Sequence, residues 1–94
     1  MMVVGVLTLE LFMGESHSLK DKRRTLSSLT ERIRRRFPVS IAEVDGNDTW
    51  QRATLGVALV TNDRRHAQAV LSTIVQYVER DAAVQLTDYT IELL

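Results

Sequence analysis

Cysteine is missing from the 94 residues, which removes disulfides, thiolate zinc ligation and cysteine nucleophiles together. Histidine occurs only at His17 and His66, each without ligand spacing around it or a partner for a nucleophilic triad. The glycines in "GVLTLE" and "LGVA" stand alone, so no phosphate-cradling loop is present. No apolar run approaches the roughly 20 residues that cross a bilayer. The first residues, MMVVGVLTLELF, lack a basic start and are interrupted by Glu10, unlike a secretion signal. With 45% hydrophobic and 26% charged residues, the expectation is one cytoplasmic globular domain over residues 1–94, with no cofactor and no membrane contact.

The net charge is zero but unevenly spread. Residues 16–38 carry eight basic and two acidic side chains, a net +6, and the remainder carries four and ten, a net −6. A neutral chain of this kind can own a strongly positive face.

Periodicity gives six elements. Residues 2–13 alternate, with Leu7, Leu9 and Leu11 on one face and Val4, Val6, Thr8, Glu10 and Phe12 on the other. Ser18 and Asp21 have the spacing of a capping box. Leu19, Leu26, Leu29, Ile33 and Phe37 then form a helical stripe that Pro38 ends. A strand at 39–45, a turn at Gly46-Asn47-Asp48 and a strand at 50–60 read as a hairpin. Thr61 or Asn62 can cap a second helix, whose stripe is Ala67, Val70, Leu71, Ile74 and Val78. A last strand at 87–94 points Tyr89, Ile91 and Leu93 inward. The order βαββαβ, with right-handed crossovers, predicts an α+β, ferredoxin-like fold: a four-stranded antiparallel sheet with two helices on one face.

The basic helix is the main functional clue. Arg34, Arg35 and Arg36 lie late in it, where cations complement the helix dipole without any ligand. Lys20, Lys22, Arg23 and Arg24 crowd the first turns, where the dipole disfavours them, and this placement points to an anion. A solvated face whose arginine stems cover apolar surface is the competing reading. The open sheet face, with Val4, Val6, Thr8, Thr54, Gly56, Ala58 and Val60, lacks the aromatics needed to stack bases. Its small apolar side chains call for a cover, and a second copy of the chain is the simplest one. Glu43 and Asp45 alternate onto one strand face, with Asp48 nearby, which permits a metal-dependent nuclease to be imagined. Turn-forming acids on a polar edge explain them as well. Trp50, just past the turn, either anchors the hairpin against the first helix or is a partly exposed contact, and packing is the expectation.

At Ser18, Leu19, Lys20, Lys22, Arg23 and Arg24 (S-L-K-x-K-R-R), Ala42–Asp45 (A-E-V-D), Trp50–Arg52 (W-Q-R) and Asn62–Arg64 (N-D-R), the chain resembles the YlxP-like family of small bacterial proteins, a domain of unknown function. The resemblance covers nearly the whole chain and implies a ferredoxin-like fold. Members are often encoded beside transcription and translation factors, including a ribosome-binding factor, which implies an RNA or ribosome role. It brings no catalytic residues. The expectation is a non-enzymatic, homodimeric protein that contacts RNA or a ribosomal subunit. Its phosphate contacts would be Lys20, Lys22, Arg23 and Arg24, extended by Arg34, Arg35 and Arg52. The alternative is a regulatory interaction module whose basic helix meets an acidic protein.

Overall fold

The computed structural model describes residues 1–94. The elements are β1 (Val3–Phe12), α1 (Leu19–Arg36), β2 (Ser40–Asp45), β3 (Arg52–Thr61), α2 (Arg64–Glu79) and β4 (Gln85–Leu93). All strand pairs are antiparallel, in the order β2-β3-β1-β4. This is the ferredoxin-like α+β arrangement, with the two Leu- and Val-rich strands at its centre.

Alternation decides which sheet face is covered. β1 buries Leu7, Leu9 and Leu11 and leaves Val4, Val6, Thr8, Glu10 and Phe12 half exposed; β3 buries Leu55, Val57 and Leu59. Leu26, Leu29 and Ile33 of α1 join Ala67, Leu71, Ile74, Val75 and Val78 of α2 over that buried face. Each such leucine or isoleucine contributes about 1.5–3 kcal/mol by leaving water. Gly5 lets α2 approach β1, because a Cβ there would stand 3.0 Å from Leu71 Cδ1. The helices are tied to each other as well. Phe37 meets Tyr77 edge-on at 6.0 Å between ring centroids.

Several boundaries differ from the sequence expectation. The Ser18 hydroxyl accepts from Asp21 N as foreseen, but the Asp21 carboxylate reaches past the cap to accept from His17 N. α2 is capped by Asp63, whose Oδ1 accepts from Arg65 N and His66 N, since Thr61 is still paired with Val3 in the sheet. Val75 joins the α2 stripe, and Val70 is only half-buried. β4 starts at Gln85, and its pairing shifts register opposite Glu10/Leu11, between Leu86 and Asp88. Tyr89 lies on the helix side of that edge strand and remains 46% exposed.

Candidate functional site

The eight cations of residues 16–38 divide sharply once their surroundings are known. Five have partners inside the protein. Lys22 Nζ donates to Glu43 Oε2 at 2.8 Å, to the Gly46 carbonyl at 2.6 Å and to the Arg52 carbonyl at 3.2 Å. Arg32 donates to Asp81 Oδ2 at 2.7 Å and to the Tyr77 hydroxyl at 3.1 Å, crossing from α1 to the end of α2. The Asp81 carboxylate first, and then the Tyr77 hydroxyl, hold the Arg32 guanidinium above its ordinary pKa. Arg34 donates to the Ile41 carbonyl of β2, Arg35 to Glu31 one turn back, and Arg36 sits 5.2 Å from the Tyr77 ring centroid. Lys20, Arg23 and Arg24 are exposed and reach no carboxylate, carbonyl or ring.

Lys22 therefore leaves the set of anion-binding candidates. It is fully buried, and its three ammonium donors are already spent on three acceptors. It lies four residues before Leu26, on the apolar stripe itself, so the helix carries it inward rather than to a flank. Its partner Glu43 follows Ile41 by two and shares its inward face. The ammonium pins the β2–β3 turn to α1. Gly46 takes part through its carbonyl and has φ +78°, a conformation that side chains resist. A Cβ there would also stand 3.2 Å from the Arg52 carbonyl. Gly46→Ala is expected to cost about 1–2 kcal/mol in chemical denaturation, whereas an exposed turn residue such as Asn47 should tolerate alanine.

Arg52 sits apart from the helix cations. Its guanidinium lies 5.9 Å from the Phe12 ring centroid, and Phe12 is on the sheet face opposite the helices. Trp50 corrects another expectation. It is 52% exposed, the partly exposed contact rather than the packed anchor, and lines a cleft of about 420 Å³ with Leu19, Asp48, Thr49, Gln51 and Arg52. Its neighbours hold it in place, because Gln51 O accepts from Met13 N and Gln51 Nε2 donates to the Gly14 and Ser16 carbonyls.

The imagined acidic metal site does not form. A register shift between Glu43 and Asp45 sets Glu43 opposite Leu55 and Asp45 opposite Thr54, so the two carboxylates fall on opposite faces. Glu43 is engaged by Lys22, and Asp45 Oδ1 accepts from Gly46 N. No three His, Asp or Glu side chains come together as metal ligands. His17 and His66 are both exposed.

The open sheet face grades from apolar to acidic. Leu94, Val4 and Val60 stand side by side on one row, since Val4 and Leu94 exchange backbone hydrogen bonds and Val4 pairs with Val60. Val6 and Ala58 follow in the next row, beside Glu92. Towards the far end Asp88 pairs with Glu10, which accepts from the Thr54 hydroxyl. Gly56 is roofed by Val44, which is itself 60% exposed. Aromatic stacking positions are absent from the middle of this face, and its acids repel phosphate.

Fold and site together define a small ferredoxin-like α+β protein, polarised between a cationic helix start and an apolar-to-acidic sheet face. No helix is long and apolar enough to cross a membrane. The chain belongs to the DUF503 family, described as "Protein of unknown function (DUF503)", whose profile matches residues 4–91. It is 29% identical over 85 residues to "Uncharacterized protein YlxP" of Bacillus subtilis (strain 168), covering 90% of this chain and 92% of that protein. Among solved structures it is similar to "De novo designed protein Foldit4", with a TM-score of 0.51 at 13% identity over 98% of this chain and 96% of that one. That likeness concerns the fold alone.

Proposed function

We propose that this protein is a cytoplasmic, non-enzymatic factor that contacts structured RNA, foremost a ribosomal subunit, through Lys20, Arg23 and Arg24. Arg35 and the outer surface of Arg34 extend the contact, while Arg52, expected from the sequence to join them, lies against Phe12 on the opposite sheet face. One observation carries the reading: of the eight cations in this region, these three have no partner in the protein. They stand in the first two turns of α1, where cations oppose the helix dipole, most of all Lys20 in the first turn. An uncompensated cost of that kind is relieved by a bound polyanion. The test is co-sedimentation with purified ribosomal subunits over a potassium chloride series. Saturable binding, with log affinity falling linearly with log salt, is the expected result. Salt-independent binding, or none, would retire it. Nuclease-resistant capture of an acidic protein would favour the interaction-module reading instead.

The protein works as a homodimer in this proposal. The row Leu94, Val4 and Val60 leaves Val60 and Leu94 each 67% exposed. A two-fold axis near this row buries it against its own copy and keeps Glu10 and Asp88 of the two copies apart. Sedimentation velocity is expected to give twice the 10.7 kDa chain mass, with Val60→Lys giving the monomer. A native chain that stays monomeric at every concentration would remove the dimer.

A further inference from the structure

We propose that the cleft holding Trp50 is a stacking site for an unpaired nucleobase, so that the RNA contacted at the start of α1 includes a single-stranded segment rather than duplex alone. The inference rests on the RNA reading above and names the part of RNA that is recognised.

Packing accounts for only part of Trp50. The indole is the largest side chain available to the core, yet it is 52% exposed and its N–H meets no acceptor in the protein. The backbone around it is nonetheless fixed. Thr49 N donates to the Gly46 carbonyl, and Gln51 bonds the β1–α1 loop through both main chain and side chain. Lys22 pins Gly46 and Arg52 on either side of the turn. A backbone tied by these bonds and presenting a half-exposed indole is a preorganised platform, since less freedom is left to lose when a flat ligand lies on it.

The charges beside the cleft select the ligand. Leu19 forms its wall on α1, and Arg23 lies one turn further along the same flank, with Lys20 next to Leu19. Arg52 lines the hairpin side, but its guanidinium is turned to Phe12 on the other sheet face and leaves the α1 cations to meet phosphate. A base on the indole would therefore have cations within one nucleotide's reach for its flanking phosphates, which is how proteins hold single strands without sequence preference. An apolar side chain of a protein partner would use the indole but not the cations. Duplex RNA would use the cations but keeps its bases stacked inside. Asp48, also on the cleft wall, is the one opposing charge.

Trp50 is the only tryptophan, so its fluorescence reports on this site alone. The probes are a short uridine homopolymer and an RNA duplex of equal length, titrated at low and raised potassium chloride. Saturable quenching by the single strand, with little by the duplex, is expected. Trp50→Ala should weaken single-strand binding about 5- to 100-fold by a fluorescent-label assay, with Trp50→Phe in between and the melting temperature little changed. Asp48→Asn should tighten it slightly. Equal quenching by both RNAs, no quenching, or undiminished binding by Trp50→Ala would overturn the stacking site. Salt-sensitive ribosome binding that survives Trp50→Ala unchanged removes this inference and leaves the RNA reading standing. Loss of ribosome binding in the native chain removes both.

Discussion

Lys22→Ala is expected to lower the stability of the protein by about 2–4 kcal/mol, a drop of about 10–30 °C in melting temperature for a domain of this size. The lost partner is an ammonium with no solvent exposure. Its removal strands the Glu43 carboxylate, 20% exposed, and two carbonyls that the ammonium had satisfied. Breaking a fully buried pair costs about 3–5 kcal/mol. The partial exposure of Glu43 lets water recover some of that, which sets the lower range. Lys22→Met restores the volume but not the donors and should remain well below the native protein. A Lys22→Met, Glu43→Leu double variant should be more stable than Lys22→Met, because no unpaired carboxylate is left. Thermal unfolding of the native protein, Lys22→Met, Glu43→Leu and the double variant closes the cycle, and a loss under about 0.5 kcal/mol for Lys22→Ala would contradict the pinning role.

Reversing Lys20, Arg23 and Arg24 to Glu is expected to separate binding from folding. RNA affinity at low salt should fall at least about 100-fold, and the slope of log affinity against log salt should shrink by about 2, as three single-strand phosphate contacts require. Stability moves the other way. These three side chains are exposed without partners, and carboxylates in the first turns of α1 favour its dipole, so the variant should melt at or slightly above the native temperature. Including Lys22→Glu in the same variant would bury a carboxylate beside Glu43 and unfold the protein, so binding lost in that version would say nothing about RNA. A triple variant that folds and binds as before would return the start of α1 to a merely solvated surface.

The sequence by itself determined the elements, their order and the two faces of the central strands. Those properties are local: a period of two in β1 and β3, or spacings of three and four in α1 and α2, is written in residues a few places apart. The edges were less legible. The cap at Asp63 and the bulge beside Asp45 depend on where pairing with a neighbouring strand stops. The division of the cations was decided only by tertiary structure. Lys22, Arg32 and Arg34 meet their partners 21, 49 and 7 residues away, and no local spacing distinguishes Arg32 and Arg34 from Arg23 or Arg24. One signal did exist for Lys22, at a helical interval from Leu26, Leu29 and Ile33, with Glu43 alternating in step with Ile41. For Trp50 the sequence left packing and partial exposure both open, because whether a large side chain is covered depends on what the rest of the chain brings over it. Folding assigns partners to charges and cover to surfaces, and what it leaves without either is where this protein has room to bind.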